Sequence, residues 1–480
     1  MMTTKSNFLF ILLSIFSLIS CNQVKEKKSN EWVTLFNGKD LSNWEANENP
    51  GSFKVVDGMI VANGERSHLF YVGDKKEPAN FKNFELNLDV MTHHLANSGV
   101  YFHTAHQKEG WLDQGYEVQV NSSHRGGDGY KEVKKGGSLY GIRNLYKAYT
   151  KDSVWYNFNI RVEGKHVQIK INDQLVVDYT EPTHPARAQT KKVLSSGTFA
   201  LQGHDPGSTV YFKNIKVKDL GDTPAPSTAI LDDDVAPRIL DYQANHLAFI
   251  DYHIHTGESF NIDSAMQAFY RTGINLGLVV DIDKLEKGKE DATLSAHVNK
   301  YGKLPLFLGI FKNNLQPLGG VQKKTIEQFD YFIGDITRFK NAKGQEVDVL
   351  KNENIGDKQA FMEDYVKAIT TGLDKGEINI WATATLLPES LSSEYDQLWT
   401  PERMASVIDA AKRNNVAIEV YNPKRIPSIT FLKLAKDKGC LFTTGGLFKE
   451  NKISEPDYFY DVIDQCKLEY KDIYIPGNPN

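Results

Sequence analysis

Three stretches of the sequence carry side chains able to do chemistry. In Tyr116-Glu117-Val118-Gln119-Val120-Asn121, the two-residue period of an extended strand sends Glu117, Gln119 and Asn121 to one face and Tyr116, Val118 and Val120 to the other. One carboxylate and two amides opposite an apolar face suit a concave, sugar-binding sheet in which Glu117 moves a proton; a plain solvated strand face has the same pattern. His103 is spaced to share a strand face with Tyr101, and Tyr140 and Arg143 follow a Gly-rich turn. A guanidinium fork holds an anionic oxygen, and Tyr or His passes a proton, although each of these as a lone residue also fits a structural role. His124 lies beside Gly126-Gly127-Asp128-Gly129, a loop that could cover a site or bind nothing. In the third stretch, Asp251-Tyr252-His253-Ile254-His255, two histidines two apart on a strand face one way, as metal ligands must.

The elements that must position these groups change character along the chain. From Trp32 to Leu220 short alternating runs are broken by Gly, Asn and Asp, among them Phe84 to Val90, Tyr116 to Val120, Phe158 to Val162 and Val167 to Ile171. This is the pattern of half-buried antiparallel strands, with hairpin turns at Val56-Asp57-Gly58 and Asn172-Asp173, and no helix of ordinary length fits. A two-sheet sandwich or jelly roll is expected over 31–220. A Pro-rich, acidic linker is expected over 221–244. Beyond it apolar runs alternate with amphipathic segments, including helices expected at Ile262 to Thr272, Lys358 to Gly372, Pro401 to Asn414 and Ser428 to Lys438. Strand and helix in turn predict a parallel α/β barrel or open sheet over 245–480.

Composition narrows the partners. A net charge of -5 and a pI near 6.3 supply no field to hold a phosphate backbone, so nucleic acid is excluded as an expected partner. The 22 Tyr and 25 Phe suit strands and sugar-stacking surfaces equally. Residues 1–20 have a charged start and an apolar run from Phe8 to Ile19, too short to span a bilayer. Their end, Leu18-Ile19-Ser20-Cys21, resembles the lipobox of bacterial lipoproteins, which implies lipidation of Cys21, a tether over 21–30 and a membrane-anchored place in the cell envelope, facing the periplasm or the exterior. Cys440 and Cys466 could pair in an oxidising compartment.

Eight segments in order resemble the 3-keto-disaccharide hydrolase family, from Leu35-Phe36-Asn37-Gly38-Lys39-Asp40-Leu41 and Asn97-Ser98-Gly99-Val100-Tyr101-Phe102 through Gly115 to Val120 and Gly137-Ser138-Leu139-Tyr140-Gly141. The series continues at Trp155-Tyr156-Asn157, Ile171 to Val176 and Gly197 to His204, and ends at Val210 to Val217. The resemblance implies a concanavalin-like jelly roll that cleaves 3-oxidised sugars by elimination, with Glu117 as the preferred proton-transfer residue. Gln202 and His204 carry the same family pattern and join Gln119, Asn121 and His124 as expected sugar ligands; His103, Tyr140 and Arg143 are the other catalytic candidates. A ketone at C3 acidifies the C2 proton, so the site needs a base, donors for the enolate and an acid for the leaving oxygen.

Residues 245–480 resemble the PHP (polymerase and histidinol phosphatase) metal-dependent hydrolases at Asp251 to Thr256, Val280 to Asp283, Phe329 to Thr337 and Ile418 to Asn422. Ile282, Thr337, Thr383, Leu447 and Lys449 stand where that family would put His or Asp. A degenerate barrel is therefore expected, with at best His253, His255, Asp281 or Asp283 and Glu419 left, of which His253, His255 and Glu419 are the candidate ligands for a divalent metal, and no cofactor otherwise implied. Three functions follow: an envelope enzyme cleaving 3-keto-glycosides by elimination and hydration, a non-catalytic carbohydrate-binding lipoprotein, and a metal-dependent phosphoesterase acting through the C-terminal domain.

Overall fold

A computed structural model of the chain describes residues 31–73, 79–124, 126, 132–185, 191–222, 237–315, 318, 321–351 and 355–477. The expected leader, tether and lipidated Cys21 lie outside them, as do most of the Gly-rich loop after His124 and much of the segment read as linker.

Thirteen strands build the N-terminal part: β1 (Trp32–Thr34), β2 (Trp44–Ala46), β3 (Phe53–Val56), β4 (Met59–Ala62), β5 (Ser67–Tyr71), β6 (Phe84–Thr92), β7 (Asn97–Thr104), β8 (Tyr116–Asn121), β9 (Tyr156–Glu163), β10 (His166–Ile171), β11 (Gln174–Thr180), β12 (Thr198–Gly203) and β13 (Val210–Asp219). They form an antiparallel sandwich. One sheet runs β11-β10-β9-β6-β13-β4-β3 with β1 on β13, and the other runs β2-β5-β12-β7-β8. The alternation of Phe84, Leu86, Leu88 and Val90 fills the space between the sheets, where all four are buried. Both expected hairpin turns form, with positive φ at Asp57 and Gly58 and at Asn172 and Asp173, as tight two-residue loops require.

The C-terminal part is a closed barrel of seven parallel strands: β14 (Ile250–His255), β15 (Asn275–Asp281), β16 (Phe307–Lys312), β17 (Tyr331–Gly334), β20 (Ile380–Trp381), β21 (Ala417–Tyr421) and β22 (Phe442–Gly445). Two small hairpins, β18 (Arg338–Lys340) with β19 (Glu346–Asp348) and β23 (Phe448–Lys449) with β24 (Lys452–Ile453), follow β17 and β22. Helices α1 (Pro237–Ala244), α2 (Ile262–Thr272), α3 (Glu290–Tyr301), α4 (Lys323–Ile326), α5 (Lys358–Lys375), α6 (Tyr395–Leu398), α7 (Pro401–Arg413), α8 (Ile429–Asp437) and α9 (Asp457–Cys466) alternate with the strands. Helix α2 spans the expected residues, capped by the Asn261 side chain at its start and Gly273 in the left-handed region at its end. Helix α1 corrects the linker reading of 221–244. Its Ile239 and Leu240 are buried and its Arg238 pairs with Asp464 on α9, so the barrel's own structure begins inside that segment.

The two parts share one continuous core. The joint is the segment after Tyr140, which seats against the N-terminal ends of the barrel strands. Lys147 Nζ reaches Asp330 Oδ2 at 2.7 Å and Leu306 O at 3.0 Å, and Tyr149 Oη donates to Leu304 O at 2.7 Å. Asn275, at the start of β15, donates to Asn144 O at 2.8 Å. Cys440 and Cys466 are both buried free thiols, so the pairing left open by the sequence does not form. Among the described residues no helix is long and apolar enough to cross a membrane.

Candidate active site

The outer face of the five-stranded sheet gathers the polar residues. Strand pairing sets Tyr101 opposite Glu117, Gly99 opposite Gln119, Asn97 opposite Asn121 and Gln202 opposite His68, so β5, β12, β7 and β8 each lend side chains to one surface. Gln202 Nε2 donates to Tyr101 Oη at 2.9 Å and to Glu117 Oε1 at 3.4 Å, and Tyr101 also hydrogen-bonds the Glu117 carboxylate. Gly99 makes the room. A Cβ there would sit 3.0 Å from Glu117 Cδ and closer still to Oε1. Gln119 Nε2 donates to Asn97 Oδ1 at 2.8 Å, and Asn121 Nδ2 to Lys134 O at 2.8 Å.

Glu117 retains some surface on the open side of this floor while protein encloses it elsewhere. Burial pushes its carboxyl up to about 7; the Tyr101 hydrogen bond and the Lys192 and Lys134 charges oppose that rise, and Glu132 adds to it. A carboxyl poised there exchanges a proton near neutral pH, as a general base and acid must. Several polar atoms around it lack partners. Gln119 Oε1, Gln202 Oε1, Asn121 Oδ1 and both ring nitrogens of His68 are buried with no hydrogen-bond partner among the described residues. Buried polar groups are normally satisfied, so such a cluster calls for a ligand rich in donors and acceptors or for water. Trp111, about half exposed, stands beside it with its ring 6.0 Å from His68 and 5.4 Å from His204.

The remaining expected residues divide. His204 and His124 approach each other at 5.7 Å on the Trp111 side of this surface; His204 Nδ1 meets Asp205 at 2.5 Å, and His124 Nδ1 lies 2.7 Å from Leu95 O. Tyr140 lies beside β8 at the sheet's edge, opposite Glu117 and on the same face: its N–H donates to Glu117 O, its hydroxyl donates to Glu132 Oε2 at 3.1 Å, and Lys134 Nζ lies 4.3 Å from its ring centroid. His103 does not share the face of Tyr101. The β7–β12 register shifts there, His103 adopts φ 54°, and the bulge turns its ring inward against Phe84. Its Nε2 then donates to Lys82 O at 2.9 Å while Nδ1 accepts from Ser195 N at 3.1 Å. Arg143 is likewise removed from the site. Its guanidinium donates to Tyr270 O and Arg271 O at the end of α2, which makes it part of the joint with the barrel.

Sequence reasoning missed His68, Trp111 and the buried Glu132–Lys134 pair. His68 lies in Ser67-His68-Leu69-Phe70-Tyr71, a strand buried on both faces, where alternation gives no clue; an imidazole inside an apolar run was the available signal. Residues 31–218 match the family model of the 3-keto-alpha-glucoside-1,2-lyase-like domain. The matched stretch holds Glu117 and every partner named above except those on α2. Among solved structures, two from Parabacteroides distasonis ATCC 8503, each described as a candidate glycosyl hydrolase, are 23% and 26% identical to this chain. They cover 41% and 40% of it and 97% and 100% of themselves, with TM-scores of 0.35 and 0.31. A carbohydrate-binding module from Bacillus subtilis is 16% identical over 37% of this chain and 96% of its own, with a TM-score of 0.26. No curated protein matches the chain.

The C-terminal mouth of the barrel holds the candidate metal ligands. His253 Nδ1 lies 2.9 Å from Glu419 Oε1, and His255 Nδ1 lies 2.8 Å from Asp281 Oδ1. Phe311 packs on both imidazoles, with ring centroids 4.9 Å from each. Burial works against charge on His253, but the adjacent Glu419 carboxylate outweighs it and raises the imidazole above its ordinary value. Glu419 Oε2 also accepts from Thr383 N at 2.6 Å, and Asp335 accepts from Asn314 N and Thr337 Oγ1. Each carboxylate is thus committed within the protein. Among the described residues no three His, Cys, Asp or Glu gather as a metal-holding group, so this mouth does not fit the ion that its resemblance implies.

Proposed function

We propose that this protein is a glycoside-processing enzyme of the cell envelope, cleaving 3-keto-glycosides by base-initiated elimination and then hydration on the outer face of the lyase-like domain. The observation that carries this reading is Glu117, held near neutrality at about 7 beside Tyr101 and Gln202 and surrounded by unpartnered amide and imidazole atoms. As carboxylate it takes the C2 proton, and the electron pair moves into the C2–C3 bond and onto the C3 oxygen, forming an enolate. That pair returns to form C1=C2 as the C1–O bond breaks, and the aglycone oxygen takes up a proton. Water then adds across C1=C2, its hydroxyl to C1 and its hydrogen to C2, giving the free 3-keto-sugar. The chain's own contribution is to hold the sugar by amides, orient C2 over Glu117 and supply donors where charge grows.

In this reading Gln119, Asn121 and Gln202 bind hydroxyls, and Trp111, His124 and His204 line the rim, where a sugar or aglycone stacks. The barrel is a PHP-like fold that has lost its metal chemistry and supports the sandwich. A lipid on Cys21 carries the whole to a membrane. The test is turnover of methyl 3-keto-α- and β-glucosides by the full chain, with Glu117→Gln as control. Cleavage that falls by about 10²- to 10⁴-fold in a folded variant supports the mechanism. Binding without cleavage of either anomer favours a carbohydrate-binding protein. Palmitate labelling that disappears in Cys21→Ser tests the anchor.

A further inference from the structure

His68 is fully buried on β5, yet neither ring nitrogen has a hydrogen-bond partner among the described residues. His103, two strands away in the same sheet, is equally buried and has both nitrogens engaged, so the neighbourhood is able to satisfy an imidazole where one is structural. An unpartnered buried polar group is destabilising, and an apolar side chain of similar size would avoid that cost. His68 sits on the sugar-facing side of its strand, opposite Gln202 in register and with its ring 5.3 Å from that of Tyr101. The rings of Tyr101, Phe70 and Trp111 pack around it, and of these Trp111 alone is substantially exposed.

The Trp111 ring meets His68 edge-on, has Arg66 5.4 Å from its centroid and remains about half exposed. The backbone beneath the indole is tethered: Gln107 Nε2 donates to Trp111 O at 2.9 Å, and Gly110 N donates to Glu48 Oε1 at 3.1 Å. The indole can therefore rotate about its own side-chain bonds while the loop stays in place. Burial pulls the His68 imidazole down to about 4, against the opposing Glu48 charge, so at neutral pH the ring offers one donor and one acceptor.

From this geometry we infer a covered hydroxyl-binding subsite, in which the Trp111 side chain swings aside and His68 donates to one oxygen of a pyranose and accepts from a neighbouring hydroxyl. The inference rests on the sugar-processing reading for the identity of the ligand, and it adds a residue and a movement to that reading. Rotation of the indole exchanges one apolar cover for the sugar ring, on which Trp111 can stack after it has moved.

The experiment uses the full chain carrying Glu117→Gln, so that the sugar is bound and not consumed, with methyl 3-keto-glucoside as the probe. Titration is expected to change tryptophan fluorescence, and the change is expected to vanish in Trp111→Phe. Adding His68→Phe is expected to weaken binding by about 10- to 100-fold while raising the thermal midpoint, because the unpartnered imidazole is gone. His68→Gln, which keeps a donor and an acceptor, is expected to bind between the two. A lower midpoint in His68→Phe with unchanged affinity would make His68 structural and overturn the inference while leaving the cleavage mechanism intact. If the parent neither binds nor cleaves the probe, the sugar-processing reading fails and the subsite fails with it. Should His68→Phe not fold, unchanged affinity in His68→Gln together with a silent Trp111 would overturn the subsite equally.

Discussion

Glu117 is a carboxyl whose environment disfavours its charge, and two measurable consequences follow. In the proposed mechanism the active form is the carboxylate, so cleavage is expected to rise with pH through about 7, and a pH–rate profile of kcat/KM over pH 5–9 would check it. Because its folded-state value lies above the ordinary 4.5, the folded protein holds a proton that the unfolded chain releases between 4.5 and about 7. This group therefore lowers stability as pH rises through that window. Glu117→Gln imitates the protonated form, so thermal unfolding is expected to show it more stable than the parent at pH 8, with the gain gone below 4.5. Equal midpoints at both pH values would mean that the carboxyl is solvated and ordinary.

At the scale of elements, the site depends on how closely β7 and β8 approach. Gly99 leaves the volume into which Glu117 folds, so Gly99→Ala is expected to displace the carboxylate and cut cleavage at least about 10²-fold, at a stability cost of about 1–3 kcal/mol. Parallel activity and urea-unfolding measurements would check both. The β7 bulge is the other decisive feature. The face shared by Glu117, Gln119 and Asn121 was legible from the alternation of β8, because that strand is regular. His103 was not, since one extra residue in β7 reverses the side-chain direction from that point on, and nothing in Tyr101-Phe102-His103-Thr104 announces it.

At the scale of the whole molecule, the segment after Tyr140 seats the sandwich against the N-terminal ends of the barrel strands, and the candidate metal ligands lie at the barrel's C-terminal mouth. Arg143 belongs to that closure, where a charged donor serves two carbonyls of α2. Arg143→Ala is expected to lower stability by about 3 kcal/mol while cleavage per folded molecule stays within about threefold, measured by urea unfolding and steady-state kinetics. A loss of kcat without loss of stability would return Arg143 to the catalytic candidates. At the far end, His253 and His255 are held by Glu419 and Asp281. Chelator-treated protein is expected to show no shift in thermal midpoint on addition of Zn²⁺ or Mn²⁺, whereas a stoichiometric ion lost on His253→Ala would restore the metal reading.

The sequence by itself determined what is written in local periodicity: antiparallel strands before the linker, alternating strands and helices after it, and the polar face of β8. These follow from spacing along one element, which backbone geometry converts directly into facing. Tertiary structure alone decided that His68 and Trp111 join Glu117, that Arg143 turns to the barrel and that Phe311 packs on two neighbouring histidines. Each of these depends on residues far apart in the chain, and their meeting is set by sheet order, a bulge and the docking of two cores, none of which leaves a periodic trace.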